Sequence, residues 1–574
     1  MRTRISSRLL NADAQELYKR INTLRASHAT VAEQPAPTLR RYLTRSHAPL
    51  PRKDASSAGA RGISRSSSVR GQPVDFGGQS VEAKGVDEVP GQQTEAALEE
   101  TEDVLMMDKL MRSVRLTSDP AFHSIVPMRS PALWSETLLS DMSRETDSDS
   151  GAPTKKADPP PPRSMGDSYS EIVLQFGSSP ELLEQYTNAS GGIRTGKLME
   201  HLDSLAGSIA YKHMLGPSVQ TLGRINERGF YIVTASVDRL DMLAQLDPKR
   251  DLRLSGQVIY TGRSSMEVAV RMESVPAGQA HSASAKSGHL DETTVMLGRF
   301  SMVCRDAHTH KARPVSSLVP RTSEEQALFT IGEKIKNRRA SLALRSLARV
   351  PPNPEEARAL HAFWLACGRE GADAAGVEAA QGEKATPEAL TGMERVWMGD
   401  TRIEKCMVMF PQERNVHSKV FGGYLMRLAY ELGFANASLF TRGHVRFLSL
   451  DGIAFAAPVP IGSILRLTSH VLHSKVVHGA DGSRAAGDHV VHVGVKANVV
   501  DPATGTERTT NDFRFTWHRD RAWAGSEPRE VENVASGRTV VPRTYQDAML
   551  WLEGRRALEV GDAIRARLLI RGVA

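Results

Sequence analysis

The stretch NASGGIRTGKLMEHLD, residues 188–203, combines glycines and a lysine that could grip a phosphate group. Gly191, Gly196 and Lys197 match most of the pattern G-x-x-x-x-G-K-[ST], but position 198 is Leu, where the motif needs a hydroxyl to hold a metal ion. A phosphate loop also follows a buried strand, and the preceding residues SPELLEQYTNAS contain no run of β-branched residues. The stretch therefore predicts the entry to a helix that serves another chemistry.

That helix carries a candidate catalytic carboxylate. Apolar residues recur along it at helical spacing and form one face: Leu198, Leu202, Leu205, Ala206 and Ile209. Asp203 lies in the middle of this apolar helix, where a carboxylate costs free energy unless it is exposed, paired or used. It could act as a general base or a nucleophile. The alternative is an ordinary solvated helix residue, because His201 and Ser204 flank it.

A second glycine-led helix follows in the other half of the chain, within NVHSKVFGGYLMRLAYELGFANASLF, residues 415–440. When Gly196 is placed on Gly423, Leu and Met align with Leu and Met, and Asn188 aligns with Asn415. Each asparagine then precedes its glycine by eight residues. The agreement indicates an internal repeat of about 225 residues.

Strand patterns follow both helices in the same order. Downstream of each helix, LDMLA (240–244) matches LDGIA (450–454), and further strands follow at 252–262 and 465–475. Residues of alternating or continuous apolar character predict more strands, at SMEVAVRM (265–272), VMLGRFSMVC (295–304), HVVHVGVKANVV (489–500) and DFRFTW (512–517). Each repeat therefore predicts one helix followed by about five antiparallel strands.

The predicted fold class is α+β. We expect the strands of each repeat to curl around their helix, and the two repeats to pair into one continuous sheet with the helices facing each other. The predicted segments are a weakly ordered region at 1–165, a first domain at 185–315, a helical linker at 321–395, a second domain at 396–522 and a C-terminal extension at 523–574.

The positive charge of the chain is confined to its beginning. The 574 residues carry a net charge of +7, but residues 1–75 contain 14 Lys or Arg and 5 Asp or Glu, a balance of +9, so the rest sums to −2. A nucleic-acid-binding body is therefore not expected. The opening segment is rich in Arg, Ser and Leu and poor in acids, which fits a mitochondrial presequence, with a basic disordered tail as the alternative. We expect the N-terminal region to be dispensable for catalysis, so that a chain beginning near residue 165 keeps its specific activity.

Metal, disulfide and membrane chemistry are not indicated by the sequence. Cys304, Cys367 and Cys406 are too few and too scattered for a disulfide framework or a zinc site. No stretch approaches 18 uninterrupted apolar residues, so no spanning helix is expected. We expect the histidines at 308, 310 and 417 to face solvent.

Three stretches of the sequence are distinctive: PQERNVHSKVFGGYLMRLAYELG (411–433), IAFAAPVPIGSILRL (453–467) and IRTGKLMEHLDSLAGSIAYKH (193–213). They resemble the acyl-coenzyme A thioesterases of the hotdog fold, specifically their mitochondrial tandem-hotdog branch. The spacer SEEQALFTIGEKIKNRR also resembles this branch, and the similarity covers roughly residues 180–520. The resemblance implies two tandem hotdog domains, each a long helix wrapped by a curved antiparallel sheet, packed as a pseudo-dimer.

The same resemblance implies a function. It implies hydrolysis of fatty acyl-CoA to free fatty acid and CoA, with no cofactor because CoA is part of the substrate. It also implies a homo-oligomer of tandem chains, without nucleic acid or an integral membrane segment as a partner. The mitochondrial matrix is the expected location, and the cytoplasm is the alternative.

The resemblance further implies which residues act. Related enzymes use an Asp on the central helix and an Asn from the loop that precedes the facing helix. Asp203 and Asn415 would form this pair, whereas the opposite end would combine Asn188 with Tyr430 or Glu431 and be degenerate. Asn415 could instead cap the following helix, and Glu431 could be a solvated acid.

Glycines complete the expected site. Thioester hydrolysis needs donors for the developing oxyanion, and free N–H groups at a helix N-terminus supply them. Gly196, Gly422 and Gly423 would let the substrate approach that backbone, although they could also serve helix packing. Two other functions remain open: a hotdog enoyl-CoA hydratase or dehydratase, for which His201 stands on the helix, and a non-catalytic acyl-CoA sensor.

Overall fold

A computed structural model describes residues 92–129, 160–223, 225–278, 292–367, 393–476, 489–519 and 537–570. All of them belong to one compact unit, Val86–Ala574. The basic segment at 1–75 lies outside the described residues.

The first repeat contains five strands and one long helix. In chain order, the elements up to its end are α1 (Gln92–Thr117), β1 (Ser170–Leu174), α2 (Pro180–Glu184), α3 (Thr195–Leu215), α4 (Ile225–Arg228), β2 (Phe230–Met242), β3 (Asp251–Thr261), β4 (Ser265–Val275) and β5 (Thr293–Asp306). One strand precedes the long helix α3 and four follow it, rather than the five expected after it.

The second repeat has the same order of elements. After α5 (Ser323–Leu344), α6 (Pro354–Cys367) and β6 (Glu394–Trp397) come β7 (Ile403–Val408), α7 (Gly422–Thr441), β8 (Val445–Phe455), β9 (Ile464–Val476), β10 (His489–Val500) and β11 (Glu507–Arg519); β12 (Arg538–Val541) and α8 (Tyr545–Ile570) end the described chain. The predicted strands and the two glycine-led helices are thus confirmed.

Ten strands form one antiparallel sheet in the order β1-β3-β4-β5-β2-β8-β11-β10-β9-β7. Reading outward from the centre, β2-β5-β4-β3-β1 on one side is matched by β8-β11-β10-β9-β7 on the other. The two halves join where β2 pairs with β8, from Ser236 opposite Ala454 to Asp241 opposite Ser449. The expected α+β class and continuous sheet are confirmed.

Helices α3 and α7 pack against each other and against the sheet. The apolar face predicted for α3 is buried, since Leu198, Leu202, Leu205 and Ile209 are all at most 1% exposed. The apolar face of α3 therefore packs into the core, and this packing fixes the directions in which the polar side chains of the helix point.

The expectation that residues 30–165 are weakly ordered is wrong for α1. This helix packs against α5 and α8 and buries apolar side chains at helical spacing: Val104, Met107, Met111 and Val114. The acidic composition of its first half indicates disorder, but Asp103 is only 9% exposed and pairs with Arg338 on α5 at 3.1 Å. The first repeat also begins earlier than residue 185, because β1 pairs with β3.

Candidate active site

Asp203 lies on α3 with its carboxylate facing the N-terminus of α7. The Thr234 hydroxyl on β2 donates a hydrogen bond to Asp203 Oδ1 at 3.0 Å, and the backbone N–H of Gly423 donates another. The residue is only 4% exposed. Burial raises the pKa of Asp203 to about 6, and the two hydrogen bonds partly oppose this shift. It is therefore not a solvated helix residue.

Glycine is required where α7 meets α3. A Cβ atom added to Gly422 would lie 3.0 Å from Asp203 Oδ2, and one added to Gly423 would lie 2.9 Å from the Cα atom of Glu200. Any larger residue would push the first turn of α7 away from the carboxylate. Close helix packing and access to the helix N-terminus thus depend on the same glycines.

Asn415 shapes the loop that leads into α7. Its Oδ1 accepts hydrogen bonds from the backbone N–H groups of His417 at 2.8 Å and Lys419 at 3.2 Å. Its own N–H donates to the carbonyl of Lys419 at 2.8 Å. It does not cap α7, because the N-cap position is Phe421.

Asn188 makes the same turn in the first repeat. Its Oδ1 accepts from the N–H groups of Ser190 and Gly192, each at 2.9 Å, and its N–H donates to the Gly192 carbonyl at 2.8 Å. The residue three positions after each asparagine has a positive φ, 79° at Gly191 and 54° at Ser418. The aligned asparagines therefore hold equivalent loops, although Asn188 is exposed and Asn415 is half-buried.

The opposite end of the helix pair has a tyrosine in place of the aspartate. Tyr430 occupies the position aligned with Asp203, and its hydroxyl hydrogen-bonds to the side chain of Thr195 at the start of α3. A Cβ atom added to Gly196 would lie 3.2 Å from the Tyr430 ring. Aromatic rings fill the space around it, with Trp517 at 4.8 Å and Phe447 at 5.4 Å between ring centroids. Burial raises the pKa of Tyr430.

Glu431 follows Tyr430 in the sequence but forms an ion pair at the protein surface. Its carboxylate pairs with Arg194 at 3.3 Å, and both side chains are 41% exposed. The expected partner Asn188 uses its amide oxygen within its own turn. Within the described residues, no hydrogen bond therefore connects Glu431 with Asn188.

The histidines differ from expectation in one case. His417 was expected in solvent, but its ring packs on Tyr211 and Tyr231, and its Nε2 lies 3.2 Å from the Ile232 carbonyl. Burial lowers the pKa of His417 to about 4. The expectation failed because its turn docks on the edge of β2, which pairs with β8 only from Ser236 onward. The residues at 308 and 310 are exposed, as expected.

His201 is not positioned as a catalytic base. Its Nε2 lies 2.5 Å from the hydroxyl of Tyr186, and the two rings stack. Burial lowers the pKa of His201 to about 4, so the imidazole is neutral. It stands two residues from Asp203 and therefore points to a different face of α3.

Sequence reasoning missed Thr234 and the ion pair of Glu200 with Arg427. Thr234 lies on a strand, and no sequence spacing connects it with the helix. The ion pair joins α3 to α7 at 3.0 Å. A signal for it existed, because the shift of 227 residues that places Gly196 on Gly423 also places Glu200 on Arg427.

Within the described residues, no group of three or more His, Cys, Asp or Glu side chains could hold a metal ion. The helices of this part of the chain include none that is long and apolar enough to cross a membrane.

Solved structures share only a weak likeness with the chain. The complex of Staphylococcus aureus acyl-CoA hydrolase with butyryl coenzyme A is 20% identical and covers 30% of this chain and 93% of its own, with a TM-score of 0.25. An acyl-ACP thioesterase from Bacteroides thetaiotaomicron is 11% identical, covers 61% and 98%, and has a TM-score of 0.31. Neither likeness carries an argument at such scores.

Sequence relatives are far more informative, although no family model matches the chain. Mouse mitochondrial acyl-coenzyme A thioesterase 9 is 33% identical over 405 residues, which is 69% of this chain and 78% of the relative. The human enzyme of the same name is 32% identical over 410 residues, covering 70% and 79%. Mouse mitochondrial acyl-coenzyme A thioesterase 10 is 32% identical over 405 residues. The chain therefore belongs to the acyl-coenzyme A thioesterase family, in the branch of thioesterases 9 and 10.

Proposed function

We propose that this protein hydrolyses fatty acyl-CoA to free fatty acid and CoA, and that Asp203 is the catalytic carboxylate, as a general base or a nucleophile. One observation carries the assignment of the residue. A buried carboxylate with a pKa of about 6 is held by Thr234 against the N-terminus of a helix from the other repeat. Perturbed carboxylates in such positions are typical of catalytic bases.

The chemistry follows from this placement. A group with a pKa near 6 is ionised at neutral pH and still basic enough to take a proton from water. The first N–H groups of a helix have no partner within the helix. Gly423 N–H is used by Asp203, so the adjacent Gly422 N–H is the donor we assign to the oxyanion. On either route one water is consumed, the acyl group is released as the free acid, and CoA leaves as the thiol.

The two repeats are arranged as tandem hotdog domains in a pseudo-dimer. Two observations support this part of the proposal. Leu240 and Leu450, which are aligned in the repeat, also pair directly at the join of β2 and β8. Glu200 and Arg427 are likewise aligned and face each other between the helices. Aligned residues meet their own counterparts only near a twofold axis.

One end of this pseudo-dimer, the working end, is catalytically active, and the other end is degenerate. Asp203 and the Asn415 loop lie at the working end, where Asn415 orients the water or the carbonyl. The other end holds Tyr430 and a set of packed aromatic rings in place of the carboxylate. Asn188 and Glu431 belong to that end and are not required for turnover.

The cellular setting is a further part of the proposal. The basic N-terminal segment and the mitochondrial names of the relatives from mouse and human support a mitochondrial location. Assembly of several tandem chains is proposed as well. Fluorescent tagging of the whole chain and light scattering of the purified protein test these two points.

Hydrolysis of palmitoyl-CoA, followed with a thiol reagent, tests the activity. We expect free CoA from the whole protein and a fall in kcat of about 10² or more for Asp203→Asn, because the substitution keeps the volume and removes the base. Tyr430→Phe is the matched control at the aligned position and should keep kcat. Binding of palmitoyl-CoA without release of CoA would indicate a sensor. Hydration of an enoyl-CoA, supplied in a separate assay, without release of CoA would indicate a hydratase. Either result contradicts the proposal.

Substitution of the two asparagines tests which end of the pseudo-dimer is catalytically active. Asn415→Ala should lower kcat strongly, because it removes the residue that shapes the loop leading into α7, whose first turn contacts Asp203. Asn188→Ala and Glu431→Gln should change kcat little. If Glu431→Gln were inactive and Asp203→Asn nearly normal, the working end would have been assigned to the wrong repeat.

A further inference from the structure

Residues 122–129, which begin at the end of a short 3-10 helix (Pro120–Phe122) after α1, form a segment that we call the strap. It runs along α3 from the end of that helix towards its beginning. Lys212 donates a hydrogen bond to the Phe122 carbonyl, and the Val126 N–H donates to Ser208 Oγ at 2.7 Å in a fully buried position. The strap is therefore fixed to α3 by polar contacts as well as by packing.

The absence of a side chain at Gly207 lets the strap pack directly on the surface of α3. A Cβ atom added at Gly207 would lie 2.7 Å from Met128 Cε and 3.2 Å from its Sδ. Both atoms belong to a side chain that is 9% exposed. A larger residue at 207 would force Met128 away from α3.

The end of the strap joins the Asn415 loop. The Val416 N–H donates to the Met128 carbonyl at 3.2 Å, and Arg129 pairs with Asn415 in an isolated antiparallel bridge. The Arg129 guanidinium donates to Glu413 Oε2 at 3.0 Å and forms an ion pair with Glu200. One side chain thus connects α3 to the start of the loop.

These contacts lie on both sides of the proposed catalytic residue. Glu200, Asp203 and Gly207 follow one another at helical spacing and share a face of α3. Arg129 contacts the first of them and Met128 the last. The strap therefore spans the turn of α3 that carries Asp203.

The second repeat lacks the residues that receive a strap. The shift of 227 residues places Gly207 on Phe434 and Lys212 on Leu439. The Phe434 ring packs 5.7 Å from Trp517, and Leu439 is 66% exposed. The strap is thus a feature of the end that contains the carboxylate.

We infer that the strap is a positioning element of the active site and that Arg129 is its positioning residue. Arg129 holds Glu413 and Glu200 at a fixed separation, and with them the Asn415 loop and the first turn of α7 relative to Asp203. The inference rests on the proposed function, because it assigns the strap to the same site. Misplacement of catalytic groups by about 1 Å can cost about 10² in rate.

The test compares Arg129→Ala and Arg129→Lys with the whole protein, using palmitoyl-CoA. We expect Arg129→Ala to lower kcat by about 10-fold or more with KM changed less than about twofold, because positioning acts on the transition state. Arg129→Lys keeps the charge and should recover part of kcat. Arg402→Ala, which removes another exposed arginine from its pair with Glu404, is the matched control and should keep kcat.

A second variant tests the strap without touching its charges. Gly207→Phe copies Phe434 and should displace Met128, so kcat should fall while circular dichroism stays native. Should this variant fail to fold, the Arg129 series decides alone. A normal kcat in folded Arg129→Ala, even with a lowered Tm, would show that the strap only stabilises and would overturn the inference.

Asp203→Asn separates the two proposals. If it is inactive while Arg129→Ala is normal, the positioning role fails and the proposed function stands. If Asp203→Asn is fully active, the proposed function itself fails.

Discussion

At the scale of the residue, burial decides what Asp203 can do. On an exposed helix surface, the same carboxylate would have an ordinary pKa of about 4 and would be a weak base. In the structure it is almost completely buried, and burial raises its pKa to about 6. Thr234 and Gly423 donate hydrogen bonds that stabilise the charged form and limit the rise. The residue therefore remains ionised where the reaction has to run.

The pH dependence of hydrolysis should report this group. We expect kcat/KM to fall as the pH drops through about 6, because the protonated carboxyl cannot act as a base. Thr234→Val removes a hydrogen bond to the carboxylate, which raises the pKa and moves this limb to higher pH. Thr234→Ser keeps the hydroxyl and serves as the control in initial-rate profiles between pH 4.5 and 9. An acidic limb that stays in place in Thr234→Val would mean that Asp203 is not the titrating group.

At the scale of the element, α1 and the strap revise what the N-terminal region contributes. Four apolar side chains of α1 are buried against α5 and α8 or the core: Val104, Met107, Met111 and Val114. Burying a side chain of this size contributes about 1.5–3 kcal/mol. Their sum is comparable to the whole stability of many domains, about 5–15 kcal/mol. We therefore expect that the region before residue 165 is not uniformly dispensable, contrary to the prediction from the sequence.

Two shortened chains should separate the parts of this region. A chain that begins at residue 90 keeps α1 and the strap and should retain Tm and kcat. A chain that begins at residue 165 lacks both, and we expect a large loss of Tm and of soluble yield. Differential scanning fluorimetry and the palmitoyl-CoA assay measure both quantities. Native Tm and kcat in the shorter chain would contradict the packing described for α1.

At the scale of the whole molecule, one arginine ties the two repeats together. Asp241 and Asp451 are aligned in LDMLA and LDGIA, and Arg239 binds both, with its Nε 2.7 Å from Asp241 Oδ1. All three side chains are at most 10% exposed. Together with the Thr516 hydroxyl and His492, Arg239 holds the pKa of Asp451 far below its ordinary value.

Removal of this arginine should destabilise the joined sheet. Arg239→Ala leaves two buried carboxylates without their shared partner, and breaking a buried pair costs about 3–5 kcal/mol. Because the pKa of Asp451 is lowered on folding, its contribution is present above its unfolded pKa, near 4, and is lost as the pH falls. The loss in Arg239→Ala should therefore be largest near neutral pH. Urea unfolding at pH 7 checks this, with Arg466→Ala, which breaks a more exposed pair with Glu507, as the control.

Sequence periodicity by itself determined the two helices, most of the strands and the internal repeat. Apolar residues at spacing 3.6 or 2 reflect local geometry, so the presence of α3 and α7 and the bounds of β10 could be predicted from one sequence. The aligned glycines and asparagines located the loops, and Asp203 stood out because a carboxylate interrupts an apolar helix. The family resemblance was confirmed by the sequence relatives.

Only the tertiary structure decided what surrounds that carboxylate. Thr234 comes from a strand and Gly423 from the other repeat, and no periodicity links residues that meet across a helix pair. The sequence does not predict the order of the strap. Its residues are buried against α3 and not within a helix or strand of their own, so its apolar residues show no periodicity. His417 was misread for the same reason, since its burial depends on the free edge of β2. Contacts of this kind exist only once distant segments pack, and they determine the pKa and the positions on which the proposed chemistry depends.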